Sequence, residues 1–489
     1  MVSVRIAAPL AMLFLSGCVM GPEHTPPQTA LPIKFSEGGK ESAGDISTVK
    51  WWSAFNDPKL DKLVDRGIEQ NLSVLQALEA IEQSRAAVVS AGAGGLPSLS
   101  LSADHTQSQT NGGFSSTPRT ASTSGTVTAS WLLDLWGEYR RSKQAAKAEL
   151  DGAYDSVDTA RLTLLSDLVT NYINMRYYQA LISISNDAVK SRRETLSLTK
   201  LQLDAGAASR LDVVQAEGLV NSTLANLPGY EANAYNNAYK ISLLLGLPAS
   251  ALLDDLKKPG GQPMARSKPI TGIPADLIRN RPDVRKAERT LAAAVYDIGV
   301  AKAKLLPSLT LSGAISPSYL HRSNLAGTSN SWSFGPSINL PIFDGGALRA
   351  NVKSAESVAR QSYLAWKQTV LTAVQEVESA LAAYNRDARA VAASRKYVKS
   401  YQEALSLSTA SYKDGASSLL DVLDAQRSLI TAQESLASAI QQMAADFVSL
   451  NVAIGGGYAF NGSVESVLAR TQPAQVPGVG PTRVAAAQK

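Results

Sequence analysis

Few side chains in this chain could carry out chemistry. The sequence has a single cysteine, Cys18, and three histidines, His24, His105 and His321, among 489 residues. One cysteine excludes a disulfide framework and a cysteine-ligated zinc site, and three histidines leave little for a metal centre or a histidine-dependent triad. We find no nucleophile–base pair, phosphate loop or metal cluster in the sequence. We therefore expect no enzyme activity, no cofactor and no metal site.

The charge pattern does not favour a nucleic-acid partner. The chain carries 47 Lys and Arg against 42 Asp and Glu, which gives a net charge of +5. This is small for the length, and we see no long basic run with interleaved aromatic residues. Nucleic acid is therefore not an expected partner.

The single cysteine has the sequence context of a lipidation site. An apolar run from Ile6 to Leu15 follows the cation Arg5, and it is too short to cross a bilayer as a mature helix. Leu15–Cys18 resembles a bacterial lipobox, which predicts a signal peptide over 1–17 and a covalent lipid on Cys18. Val19 follows the cysteine, which by the same resemblance favours delivery to the outer membrane. An ordinary signal peptide or a buried thiol is the alternative.

The two ends of the mature chain differ in composition from the rest of it. Residues 18–50 are rich in Pro, Gly and Ser, which predicts a lipid-anchored tether, and residues 456–489 are predicted to be a flexible tail. No later segment supplies about twenty consecutive apolar residues, so we expect no transmembrane helix. A mature chain that crosses a membrane must then do so by closed β-structure.

Between these ends the sequence repeats itself with an offset near 209 residues. The segment Leu96–Ser102 returns as Leu306–Ser312, and the segment Ala205–Val214 returns as Asp414–Leu423. Matched blocks in the same order predict two equivalent halves, over 51–260 and 261–455.

The sequence of each half predicts the same order of helices and strands. A helix near 72–94 or 282–304 leads into two strands, over 99–103 and 126–131 in the first half and 309–315 and 332–340 in the second. Apolar and small polar residues alternate in these strands, as they do where one face meets lipid and the other meets water, and equally in a half-buried soluble sheet. Four aromatic residues near the strand ends fit either an interfacial belt or a core: Trp131, Trp136, Trp332 and Phe343.

Very long helices follow the strands. No proline occurs from 138 to 203 or between Pro341 and Pro473, and a helix of that first length approaches 100 Å at about 1.5 Å per residue. In the last helix a heptad seam from Val422 to Leu450 is broken only by Asp446. We expect tightly packed antiparallel coiled coils. Gly206 and Gly415 are predicted to end helices at two hairpin tips, and Ser209 and Ser417 or Ser418 to cap the next helices.

Four strands are too few for the smallest membrane barrels, which have about eight, so embedded strands would require an oligomer. With these features the chain resembles the TolC-like outer-membrane channels, in the lipidated branch that includes OprM and NodT-type proteins. The resemblance covers roughly 50–455. It rests on Cys18, on the segments Trp51–Leu60, Arg279–Val284 and Tyr412–Gln426, on Asn71-Leu72, and on the paired Leu-Pro-Ser-Leu strands.

The resemblance implies a mainly α fold with a transmembrane β part. A homotrimer would form a 12-stranded β-barrel in the outer membrane, in contact with its lipid, and an α-helical barrel would continue it through the periplasm. The implied function is the passive exit duct of a tripartite efflux pump for drugs or other small toxic compounds. Its partners would be a periplasmic adaptor and an inner-membrane transporter of the resistance-nodulation-division type.

The resemblance also implies a gate at the hairpin tips. Tyr412 matches a pinning tyrosine, Asp212 its partner in the neighbouring hairpin, and Asp421 with Asp424 the carboxylates of two stacked rings that favour cations. Ordinary solvated aspartates at a helix N-terminus would look the same in the sequence. Ser417 stands where the family has a gating arginine, and Arg210 is the predicted substitute.

Two other functions stay open at this stage. One is the outer-membrane channel of a type I protein secretion system, which the lipobox and tether disfavour. The other is a periplasmic coiled-coil scaffold without a pore, which the paired strands disfavour.

Overall fold

The computed structural model describes residues 19–38, 42, 44–109, 111–112, 115–116, 119–266, 272–322 and 325–459. The predicted signal peptide, Cys18 and the tail from residue 460 onward lie outside these ranges.

The described residues are mostly helical. The nine α-helices are α1 (Pro58–Gln70), α2 (Leu72–Ala93), α3 (Glu138–Asp204), α4 (Arg210–Leu244), α5 (Leu253–Leu256), α6 (Pro274–Asn280), α7 (Pro282–Ala303), α8 (Ala347–Lys413) and α9 (Leu419–Ala453), and a 3₁₀ turn, Trp51–Phe55, precedes them.

The two halves have helices of matching length. The helix before the strands has 22 residues in α2 and in α7, the long helix has 67 in α3 and in α8, and the returning helix has 35 in α4 and in α9. The predicted repeat of elements is therefore confirmed, helix by helix.

Four long strands form one antiparallel sheet. They are β1 (Ser98–Ser108), β4 (Thr120–Leu133), β5 (Ser308–Arg322) and β6 (Leu325–Asn339), in that spatial order, and the short β2 (Asn111–Gly112) and β3 (Ser115–Ser116) form a separate ribbon. The predicted strands were correctly placed but too short. Ser, Thr and Gly predominate in the added parts of β4 and β6, so no apolar alternation marked them as strand.

The register of the sheet separates an apolar face from a polar one. Leu101 lies opposite Val127, which lies opposite Ile315, which lies opposite Trp332, and all four side chains are exposed. Residues directly opposite one another share a face, so these four form one apolar row. The adjacent row, which faces the other way, contains only small side chains: Ser100, Thr128, Ala314 and Ser333.

The chain divides into two compact units. Of the described residues, the first unit contains those within 1–29, 80–154 and 286–368, and the second contains those within 30–79, 155–285 and 369–489. In the first unit Ala145 and Ala148 of α3 pack against Ala292 and Ala293 of α7. Small side chains let two helix backbones approach closely, as the sequence predicted for the coiled coils.

The described part of the predicted tether makes contacts within each of the two units. In the first unit the guanidinium of Arg141, 1% exposed, donates to the carbonyl oxygen of Met20 at 2.9 Å and pairs with Glu23 at 2.8 Å. In the second unit Phe35 is fully buried. A buried guanidinium requires acceptors, and this segment supplies them.

Aromatic side chains of the 3₁₀ turn Trp51–Phe55 pack against α9 in the second unit. Phe447 is buried, and its ring centroid lies 6.4 Å from that of Trp51 and 5.4 Å from that of Phe55. The indole nitrogen of Trp51 donates to the carbonyl oxygen of Gly456 at 3.1 Å. Residues 456–459 are thus held in place, although the sequence assigned them to the flexible tail.

None of the helices within the described ranges is long and apolar enough to cross a membrane.

Replacing Phe447 should show how much stability this aromatic cluster contributes. Phe447→Ala removes a buried ring that contacts Trp51, Phe55 and Tyr384, and it should lower the free energy of unfolding by about 3 to 5 kcal/mol. Guanidinium unfolding followed by circular dichroism measures this change. Phe447→Leu keeps apolar volume and should cost less than half as much; equal losses in both variants would contradict a specific role for the ring.

Candidate functional site

The first hairpin tip is a tight helix-ending motif at Gly206. The amide of Ala207 donates to the carbonyl oxygen of Gln202 at 2.7 Å, and the amide of Gly206 donates to that of Leu203 at 2.9 Å. This is the Schellman pattern, which needs a residue in the left-handed conformation. Gly206 supplies it with a φ of 75°.

The second tip repeats the first. The amide of Ala416 donates to the carbonyl oxygen of Ser411 at 2.8 Å, the amide of Gly415 donates to that of Tyr412 at 3.1 Å, and Gly415 has a φ of 72°. Both glycines therefore end helices in the way that the sequence predicted.

In both tips the next helix begins with a capping box, in which a serine at the N-cap and an aspartate three residues later bond to each other. The carboxylate of Asp212 accepts from the amide of Ser209 at 2.8 Å and from its hydroxyl at 2.7 Å, and the amide of Asp212 donates back to that hydroxyl at 3.2 Å. In the second tip Asp421 accepts from the amide and the hydroxyl of Ser418 at 3.0 and 2.9 Å. Ser418, and not Ser417, is the capping residue.

These bonds also set the electrostatics of Asp212. The bonds from the hydroxyl and the amide of Ser209 stabilise the carboxylate and hold the pKa of Asp212 below its ordinary value. Asp212 therefore remains ionised at neutral pH, at the positive end of α4.

Tyr412 belongs to a small apolar cluster. Its side chain is 7% exposed, and its hydroxyl donates to the side-chain oxygen of Gln202 in the same chain. All four long helices contribute to the cluster, with Leu198, Leu219, Leu405, Leu419, Val422 and Leu423. Gln202 thus links α3 to α8.

The carboxylates of the last helix do not form an isolated pair. Asp421 and Asp424 are both exposed, but Asp424 forms an ion pair with Arg427 one turn further on. Ser417 donates weakly to the carbonyl oxygen of Ser408 at 3.5 Å, and Arg210 is exposed at the first position of α4.

Within one chain the predicted gate residues therefore fall into separate groups. Tyr412 bonds to Gln202, while Asp212 bonds to Ser209. Sequence reasoning missed Gln202 and Arg427. Arg427 follows Asp424 at the i+3 spacing of a helix surface pair, and this spacing was a usable signal. Gln202 carried none, because its partner lies 210 residues away.

Over residues 63–247 and 273–456 the sequence matches the protein family described as outer membrane efflux protein. The chain belongs to the outer membrane efflux protein family. The two matched segments of this efflux family correspond to the two halves of the repeat.

Named relatives and a solved structure agree with the family. The chain is 54% identical over 460 residues to nodulation protein T of Rhizobium leguminosarum bv. viciae, which covers 94% of each chain. It is 32% identical to the solvent efflux pump outer membrane protein SrpC of Pseudomonas putida, over 92% of this chain and 97% of that one. The outer-membrane channel OprN superposes with a TM-score of 0.81 at 28% identity, over 90% of this chain and all of that one.

Membership of the efflux family also indicates whether the protein is a channel or an enzyme. It is a family of outer-membrane channels and not of enzymes. Among the described residues there is no group of three or more His, Cys, Asp or Glu side chains placed to hold a metal ion.

A substitution at the second tip tests whether the left-handed backbone conformation there requires glycine. An added Cβ at Gly415 would meet nothing within 4 Å, so Gly415→Ala should be destabilising through backbone strain alone, by about 1 kcal/mol. Guanidinium unfolding measures the change. Gly218 is the matched control because it also has open space but lies inside α4, where alanine should stabilise by up to about 1 kcal/mol. Equal effects at the two positions would contradict the account.

Proposed function

We propose that three copies of this chain form the outer-membrane exit duct of a tripartite efflux pump. The duct is passive and carries small toxic molecules outward from a periplasmic adaptor and an inner-membrane transporter of the resistance-nodulation-division type. Each chain is anchored by lipid on Cys18 and extends into the periplasm.

The observation that carries this proposal is the two-faced open sheet. One face presents the apolar row that includes Leu101 and Trp332, both more than two-thirds exposed, and the other presents small polar residues. Such alternation suits strands with lipid on one side and water on the other. In the described chain β1 and β6 are the edges, and edges left unpaired in a membrane are costly. Three chains would pair these edges and supply twelve strands.

The named relatives support small-molecule efflux. SrpC belongs by its name to a solvent efflux pump, and the similarity of this chain to it runs over nearly the whole length of both. We assign this chain to small organic molecules on that basis, in preference to protein secretion.

We place the gate at the two hairpin tips. Since Tyr412 and Asp212 have different partners within one chain, their contact would join neighbouring chains, with Tyr412 approaching the partner subunit's Asp212. Arg210, at the start of the same helix, stands in for the arginine that Ser417 replaces. Because Arg427 neutralises Asp424, the Asp421 ring supplies most of the negative field at the constriction.

Conductance of the purified protein in planar bilayers tests both the duct and its gate. The double variant Tyr412→Phe with Asp212→Ala removes the hydroxyl and the carboxylate of the proposed contact, so it should open the tip and raise single-channel conductance several-fold.

Tyr397→Phe with Asp254→Ala provides the matched control. It removes the same two groups from exposed positions of α8 and α5 outside the hairpin tips, so its conductance should stay near that of the unmodified protein. Unchanged conductance in the Tyr412→Phe, Asp212→Ala variant, or an equal rise in the control, would overturn the gate. A purified trimer that carries no current would overturn the duct.

A further inference from the structure

The apolar face of the four-stranded sheet ends before the strands do. Alternate residues of β5 lie on this face. From the end that follows α7 to the middle of the strand they are all apolar or glycine: Leu309, Leu311, Gly313, Ile315 and Pro317. The next two residues on the same face are Tyr319 and His321. The far ends of the strands therefore carry a different kind of surface.

This surface consists of two rows of side chains, which we call the polar rim. One row contains His105, Thr123, Tyr319 and Thr328, and the next contains Gln107, Ala121, His321 and Ala326. No carboxylate occurs in either row. The four long strands contain one acidic residue, Asp104, and it is adjacent to His105 and so lies on the opposite face.

A chain of hydrogen bonds brings a guanidinium onto the polar rim. Nδ1 of His105 lies 2.8 Å from Oγ1 of Thr123, and Nε2 of Gln107 lies 3.4 Å from Nε2 of His105. The guanidinium of Arg119 donates to Oε1 of Gln107. Because Gln107 belongs to the polar rim, this bond places the guanidinium on the same face. Arg119 is exposed and pairs with no carboxylate among the described residues.

The polar rim lies where the apolar layer of a membrane would end. From Leu309 to Tyr319 the strand advances about 34 Å, at about 3.4 Å per residue. A strand tilt of about 40° reduces this to about 26 Å across the membrane, and strand-built membrane proteins have an apolar band about 25 Å tall. Tyr319, 45% exposed, then lies at the boundary, where tyrosine is enriched. The Arg119 guanidinium, one row further on, lies at the level of the lipid headgroups.

The charge of the polar rim indicates the kind of headgroup. A cation without any neighbouring carboxylate complements an anionic group, and the planar fork of a guanidinium matches the oxygens of a phosphate. A zwitterionic headgroup would also bring a cation, and that cation would find no carboxylate on this face.

We propose that the polar rim binds phosphate headgroups in the lipid leaflet farther from the helices, with the Arg119 guanidinium against the phosphate. The proposal rests on the proposed function, because it requires the apolar face of the sheet to meet lipid. It adds the chemistry of the lipid and the residue that recognises it.

Native mass spectrometry of the full-length protein, purified in detergent, tests the proposal. The probe is bisphosphorylated lipid A, and the comparison lipid is the same molecule with both phosphates removed. We expect the phosphorylated lipid to bind at least about fivefold more tightly. Arg119→Gln should weaken its binding about fivefold, which is the usual effect of one cationic residue near an anionic lipid surface, and Arg119→Lys should stay within about twofold of the unmodified protein.

Arg322→Gln is the matched control. Arg322 is the exposed last residue of β5, and because it is adjacent to His321 its side chain belongs to the opposite face. The substitution removes an exposed arginine from the same end of the sheet and should leave the binding of lipid A unchanged. Gel filtration verifies that the three variants remain folded.

Each other outcome counts against the proposal. Equal binding of the two lipids, unchanged binding in Arg119→Gln, or an equal loss in Arg322→Gln would overturn the phosphate contact. Displacement of the lipid by an equal concentration of inorganic phosphate would assign the polar rim to free phosphate and would overturn the lipid. Single-channel current from the same preparation separates the two proposals. A protein that conducts but does not distinguish the lipids refutes only the polar rim, whereas one that carries no current refutes the duct.

Discussion

The rest of the structure depends on one constraint, which is that a four-stranded sheet with an apolar face has two open edges. Exposed edges expose unpaired amide and carbonyl groups, and in soluble proteins they are shortened, charged or covered. Here β1 has 11 residues and β6 has 15, and both carry exposed apolar side chains such as Leu99 and Phe334. Pairing β1 of one chain with β6 of the next would cover both edges, as it does in the proposed trimer.

The helices of the two repeats are matched as well. An assembly of equivalent halves requires helical hairpins of equal length. The lengths of 67 and 35 residues agree between the halves, and both tips use the same Schellman motif and the same serine–aspartate restart. Yet Tyr412 and Arg427 belong to one tip alone. The halves therefore share a backbone design, and their differences in side chains are where a gate can act.

Much of the fold could be predicted from the sequence because it depends on local rules. Gly206 and Gly415 end helices since a left-handed residue is needed there, and the proline-free stretch over 138–203 marked α3 to within one residue. The contacts that were missed are long-range. Proline-rich composition predicted a tether, but it gave no sign that the buried Arg141, more than a hundred residues away, would donate to Met20 in that segment. The sequence showed Asp446 as a break in the heptad seam of α9. It did not show that the carboxyl of Asp387 on α8 lies beside it.

The central claim is that neighbouring chains pair β1 with β6, and disulfide cross-linking tests it most directly. Since Cys18 is the single native cysteine, Ser100→Cys in β1 can be combined with single cysteines introduced in turn along β6, and the oxidised protein can be analysed by denaturing electrophoresis. Matched pairs should give covalent dimers and trimers and nothing larger. Monomers at every position, or a ladder that continues beyond three chains, would contradict it.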